Sequence, residues 1–205
     1  MKDEMDILRE VFSIAAGHGS IALSEILGRK ITMEMPALDI ISSEAVLKRL
    51  NTEQVVISVS SNILSGLKGE ILYILDEKSA FKLIDMCYRT KKGDKNSSLF
   101  TEMGFSVVKE IGNVIISSYA GALSMIMKTV IIPSIPTLVS GSIRQALSMA
   151  VGPYSAENHI LLAEAVFLEP EEKISGTIYL ILDNKAMEAI QEGCKRVLKT
   201  LEQDK

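Results

Sequence analysis

The sequence predicts an α+β fold in which two similar half-domains share one antiparallel sheet, flanked by helices, about a pseudo-twofold axis. Three observations lead there. Apolar residues at three-to-four spacing alternate with strand-like stretches along all 205 residues. Neighbouring strand-like stretches are joined by turns too short for a crossover, so they pair antiparallel. A sparse pattern also recurs one hundred residues on: Asp6, Glu10, Ser13 and Pro36 reappear as Ser106, Glu110, Asn113 and Pro136.

The same offset aligns Ala22-Leu23-Ser24 with Ala122-Leu123-Ser124, Ile26 with Ile126, Ile31 with Ile131 and Leu38 with Leu138. Farther on, the offset becomes 107, because Gly69-Glu70-Ile71-Leu72-Tyr73-Ile74-Leu75-Asp76 matches Gly176-Thr177-Ile178-Tyr179-Leu180-Ile181-Leu182-Asp183. The additional residues are expected in the loop around Gly152 to Asn158. Half a chain with three strands is too small to cover both faces of a sheet, so the halves are expected to merge into one domain. That domain spans residues 1–205, with a first half at 1–92 and a second at 96–205. The broken basic run from Arg89 to Lys95 at the join reads as a solvated linker.

Each element follows from local pattern. Asp3 to Ala16 reads as a helix from Met5, Leu8, Phe12 and Ala15; Gly17-His18-Gly19 is expected to break it before Ser20 caps a short second helix to Leu27. The break has a second reading, as an anion nest. Ile31 to Ile41 is strand-like, with Pro36 marking an edge or bulge. A short helix over Ser43 to Leu50 leads to strands Gln54 to Ile63 and Lys68 to Leu75, and an amphipathic helix over Lys78 to Tyr88 closes the half.

The second half replays this order. Helices are expected from Leu99 to Ser118 and Tyr119 to Met127, then a strand from Thr129 to Val139 and a turn or helix from Gly141 to Met149. Strands His159 to Leu168 and Lys173 to Leu182 and a helix from Asn184 to Glu202 complete it.

Composition narrows the function. A net charge of -4, with Lys and Arg scattered, offers no basic face for nucleic acid. Two cysteines, Cys87 and Cys194, are too few for a disulfide framework, and nothing ahead of the first helix resembles a secretory leader, so a reducing cytoplasm is expected. Cys87 and Cys194 fall at equivalent places in the closing helices and read as core packing rather than a redox pair. With His18 and His159 the only histidines, no metal-site spacing exists, so no metal of the chain's own is expected. The uncharged run from Ile111 to Met127 contains Asn113, Ser117, Ser118 and Gly121 and reads as buried helix rather than a membrane span.

Positions i, i+4 and i+7 share a narrow helical stripe, which sets Ser106, Glu110 and Asn113 side by side; Asp6, Glu10 and Ser13 form the matching stripe. A lone stripe of this kind is ordinarily just a solvated face. Two copies, each with a proline at the same distance downstream, point to a site.

On these residues the chain resembles the CheC, CheX and FliY family of response-regulator phosphatases. That family's motif is Asp or Ser, three residues, Glu, two residues, Asn, twenty-two residues, Pro. Ser106, Glu110, Asn113 and Pro136 satisfy it throughout, within Glu110-Ile111-Gly112-Asn113. The first copy has Asp6, Glu10 and Pro36, but Ser13 stands in place of Asn and Phe12 in place of the glycine. Two copies in one chain resemble CheC more than the single-site CheX.

The resemblance implies hydrolysis of the aspartyl phosphate of phosphorylated CheY. Asn113 would orient the attacking water and Glu110 would pair with a partner lysine, while the partner supplies the phosphoaspartate and Mg2+. The first site, at Glu10 and Ser13, is expected to be crippled because a serine hydroxyl cannot replace a carboxamide. Pro136 would shape the strand behind the helix, and Ser106 is either a partner contact or a tolerated polar residue. CheD and flagellar switch proteins are the other implied partners, and a non-catalytic docking module for them is the competing reading. A monomer is expected, since each half supplies what a single-copy relative obtains by dimerising.

Overall fold

The computed structural model describes residues 4–49, 53–65, 67–90, 102–154 and 159–203. The first half of the chain forms α1 (Glu4–Leu27), β1 (Thr32–Ser42), α2 (Ser43–Arg49), β2 (Val55–Ser65), β3 (Gly69–Asp76) and α3 (Glu77–Thr90). The second forms α4 (Glu102–Met127), β4 (Ile132–Pro133), β5 (Thr137–Ser142), α5 (Ile143–Val151), β6 (His159–Glu169), β7 (Ile174–Asp183) and α6 (Asn184–Gln203).

The strands build one antiparallel sheet in the order β1-β6-β7-β3-β2-β4, with β5 also paired to β2. The α+β class expected from the pattern is therefore the class observed. Helices cover both faces. On β3, Ile71, Tyr73 and Leu75 join a core with α1, α3, α4 and α6. Leu72 and Ile74, on the opposite face, pack with Val46 of α2 and Ala146, Leu147 and Val151 of α5. Burial on both sides explains why this central strand is an unbroken apolar run.

The sheet is arranged as a twofold axis between β3 and β7 would require. Leu72 lies opposite Tyr179, its own counterpart at the offset of 107. Outward from there, β6 pairs with β1 and β2 pairs with β5, so each half lends its first strand to the other. Local contacts recur at the same offsets. The Ser24 hydroxyl accepts from Ile31 N at 3.3 Å, and Ser124 accepts from Ile131 N at 3.0 Å. Ser42 and Ser142 cap α2 and α5 at 3.2 Å each. The Asp76 carboxylate caps α3 at 2.6 Å and Asp183 caps α6 at 2.7 Å.

Several boundaries differ from the sequence reading. Gly17-His18-Gly19 does not break a helix: α1 is continuous from Glu4 to Leu27. Gly19 is buried, and a Cβ there would lie 3.5 Å from Ile115 of α4 and from Phe167. The glycine thus serves the α1–α4 crossing, and tertiary packing outweighs its roughly 1 kcal/mol propensity cost. No anion nest forms inside a continuous helix. For the same reason α4 runs unbroken to Met127, with Tyr119, Ala120 and Leu123 all buried.

The strand expected over Thr129 to Val139 is split into β4 and β5 around Ser134-Ile135-Pro136. In β1 the register shifts between Glu34 and Ala37, the bulge expected at Pro36. The extra residues are also divided between two places. Val56 faces Asp76 and Ile160 faces Asp183; Asp76 and Asp183 are 107 apart, but Val56 and Ile160 only 104. Three of the extra residues therefore lie in the β6–β7 turn and four before β6. Residues 91–95 of the linker, and the Cys194 side chain, lie outside the described parts.

By length and composition α4 could cross a membrane, but half of that apolar window is buried in this fold, against α1 and the sheet.

Candidate functional site

The second stripe stands on the outward face of α4. The opposite face is fixed by Val108, Ile111, Ile115 and Ile116, all buried in the main core. That anchoring leaves Ser106 and Glu110 exposed and Asn113 half-buried. The Ser106 hydroxyl turns back to donate to the Glu102 carbonyl at 2.8 Å, so it is engaged within its own helix. Among the described residues, neither the Glu110 carboxylate nor the Asn113 carboxamide has a hydrogen-bond or ionic partner. A carboxamide offers two donors and an acceptor to whatever approaches.

Gly112, between them, sets the height of the helix. It is buried, and a Cβ at that position would stand 2.8 Å from both Cβ and Cγ1 of Val59 on β2. Only a residue without a side chain allows α4 to lie this close to the sheet. Gly112 belongs to the motif, but its packing duty depends on Val59, a strand residue that the motif does not contain.

Behind the helix, the motif proline sits in a clamped link. Ser134 N donates to the Asn62 carbonyl at 2.8 Å, Asn62 N donates to the Ser134 hydroxyl at 3.1 Å, and the Ser61 hydroxyl donates to the Ser134 carbonyl at 2.7 Å. Pro133 and Pro136 bracket that serine. Val59, which faces Gly112, pairs with Leu138 of β5, so the link belongs to the same neighbourhood as the stripe. The signal in the sequence that could have found it is the pair Pro133 and Pro136, three positions apart.

The first stripe differs in kind. Asp6 and Glu10 are exposed on α1 and Ser13 is half-buried. The Ser13 hydroxyl donates to the Met35 sulfur at 3.6 Å, so the position corresponding to Asn113 is engaged by the chain itself. Phe12, which replaces the glycine, is fully buried. Ala163 of β6 occupies the place that Val59 holds on β2, by the offset of 104. A large helix residue thus goes with a small strand residue in one half, and the reverse in the other.

The structure thus sets Ser106, Glu110 and Asn113 together on one helix and Asp6, Glu10 and Ser13 together on another, as the spacing predicts. Among the described residues no group of three or more His, Cys, Asp or Glu side chains could hold a metal ion. Between α1 and α4 runs an open groove of about 480 Å³ lined by His18, Ile21, Glu25, Ser118, Gly121 and Met125.

Comparison with known proteins bears on the same region. The model of the CheC-like family matches residues 103–140, the segment from the start of α4 through the clamped link into β5. The chain is 25% identical over 193 residues to the CheY-P phosphatase CheC of Bacillus subtilis (strain 168), covering 92% of each. Among solved structures, Thermotoga maritima FliY superposes with a TM-score of 0.76 at 22% identity, over 96% of this chain and 98% of that one. The CheX–CheY–BeF3–Mg2+ complex of Borrelia burgdorferi matches with a TM-score of 0.52 at 18% identity, over 87% of this chain and 99% of that one.

Proposed function

We propose that this chain, a member of the CheC/CheX/FliY family, is a cytoplasmic chemotaxis phosphatase that hydrolyses the aspartyl phosphate of CheY through Glu110 and Asn113. One observation carries the proposal. The two side chains project together from α4 with no partner among the described residues, on a helix whose height is fixed by Gly112 against Val59. A pair of preorganised, unoccupied polar groups suits the completion of a site on another protein.

In the proposed reaction the Asn113 carboxamide holds a water in line with the phosphorus. The water oxygen bonds to phosphorus as the phosphorus–aspartate oxygen bond breaks. Inorganic phosphate leaves and the partner's carboxylate is regenerated. Glu110 forms a charge-assisted contact with a cationic side chain of the partner and sets the register. The chain needs no cofactor of its own; the metal belongs to the partner, and the B. burgdorferi CheX–CheY complex contains both BeF3 and Mg2+.

The same proposal treats residues 1–205 as one CheC-like domain of two repeats, 1–92 with a degenerate site at Glu10 and Ser13, and 96–205 with the intact one. The contacts that recur at offsets of 100 and 107 support this, and a seven-stranded sheet to which both halves of one chain contribute supports a monomer. A second reading, a non-catalytic module docking CheD or flagellar switch proteins, is favoured by one observation: Ser13 is engaged by Met35, so half of the molecule keeps the stripe without the chemistry.

Phosphate release from phosphorylated CheY, with and without this protein, separates the readings. Catalysis that falls roughly 10²-fold in Asn113→Ala, with binding retained, is the expected result. Binding of CheY without any acceleration would leave the docking module.

A further inference from the structure

We propose that Ile135, at the tip of the β4–β5 link, is an apolar anchor for the same CheY partner that Glu110 and Asn113 engage. This rests on the proposed function and adds a specificity-determining residue that the motif does not contain. Ile135 is 86% exposed, more than any other large hydrophobic residue described. Exposure alone is ordinary for a mobile loop tip. This tip is held differently.

Ser134, its neighbour, is tied to β2 by four hydrogen bonds, to Asn62 at both its carbonyl and its amide and to the Ser61 hydroxyl from both its carbonyl and its own hydroxyl. On the other side Pro136 has a fixed φ. The link therefore loses little entropy when Ile135 is covered, which is what makes an exposed apolar residue useful as a binding anchor. Ile132 and Val130, 49% and 64% exposed, extend the apolar surface along the same edge.

Continuity with the stripe identifies the occupant. Val59, against which Gly112 packs, pairs with Leu138, and Ser60 with Thr137, so the link ending at Pro136 lies beside the turn of α4 that carries Glu110 and Asn113. In the first half the equivalent residue is Met35, and it turns to Ser13, the equivalent of Asn113. A side chain at this place in the fold is therefore within reach of the catalytic position. In the intact half Ile135 faces outward and leaves Asn113 without a partner among the described residues. A protein that places its phosphoryl group at Asn113 must then cover Ile135 as well.

The test uses the full chain and CheY activated with beryllofluoride and Mg2+, titrated by fluorescence anisotropy, with phosphate release measured in parallel. Ile135→Ser should weaken binding about 10-fold and raise KM with kcat unchanged, while Ile135→Leu keeps near-normal affinity. Circular dichroism melts should coincide with the parent, because the residue is not in the core. Unchanged affinity in Ile135→Ser, alongside wild-type binding and loss of turnover in Asn113→Ala, would overturn the anchor and leave the proposed function standing. Failure of the wild-type chain to bind activated CheY would overturn both.

Discussion

Replacing Gly112 by alanine tests whether α4 sits where it does because nothing occupies that Cβ position. The new methyl group would lie 2.8 Å from Val59 Cβ, 2.8 Å from Cγ1 and 2.9 Å from Cγ2. Optimal carbon contacts are about 3.5–4.0 Å, so helix and strand must separate by roughly 1 Å. Val59 cannot easily give way: its side chain is stiff at χ1, and β2 is paired on one side with β3 and on the other with β5. Overpacking of this kind costs about 1–3 kcal/mol, against a helix-propensity gain of about 1 kcal/mol for alanine. The net expectation is a destabilisation of up to about 2 kcal/mol, or roughly 2–4 °C in Tm per kcal/mol for a chain of this size. Gly121→Ala in the same helix is the control. It is exposed, with nothing within 4 Å of its Cβ, so it should stabilise by about 1 kcal/mol. Urea unfolding of both variants, and of Gly112→Ala combined with Val59→Ala, measures the effect; the second substitution should recover part of the strain term as a favourable coupling. A Gly112→Ala chain as stable as Gly121→Ala would refute the close-approach argument.

Two further outcomes follow from the geometry. In an Asn113→Ala background, Ser13→Asn should restore only a small part of phosphate release, because Met35 occupies the hydroxyl now at that position; adding Met35→Ala should raise the recovery, and equal activity with and without Met35→Ala would show that Met35 does not obstruct. Glu70 is buried on β3, and desolvation raises its pKa above the usual carboxylate range despite a hydrogen bond from Ser60. Folding therefore favours the protonated form, so its penalty is absent below the unfolded value of 4.5 and grows as pH rises through the folded one. Glu70→Gln should accordingly raise Tm at pH 7, with the gap closing at pH 4 in thermal melts. A gap that widened toward acid would reverse the assignment.

Much of this fold is legible in the chain because its elements are local. The apolar run of β3 and the bulge at Pro36 are both consequences of residues within a few positions of one another. What escaped depends on distant neighbours. Gly19 looks like a helix breaker until Ile115 and Phe167 are seen to need its missing side chain. The division of the extra residues between two loops is invisible because β2 and β6 share little sequence identity and only their pairing fixes the offset. At the site, spacing alone gives the shared stripe of Glu110 and Asn113. It gives neither the Gly112–Val59 contact nor the clamp on Ser134, since their partners lie on β2, about fifty to seventy residues away.

The two halves differ in a correlated way, and the correlation is itself an argument about function. Where the helix carries Gly112 the strand carries Val59; where it carries Phe12 the strand position carries Ala163. The first pairing has three side-chain carbons and the second eight, so the two halves fill this layer of the core with different volumes. They differ in what surrounds the next residue along the helix. Beside Gly112 the Asn113 carboxamide has no partner among the described residues, whereas beside Phe12 the Ser13 hydroxyl is taken up by Met35. The unoccupied polar side chain, the close-packed helix and the outward Ile135 occur together in one half only, the half whose motif is complete. Their coincidence there is what a single docking and reaction surface requires, and it is why the second half, rather than the axis between the halves, is the place to look for catalysis.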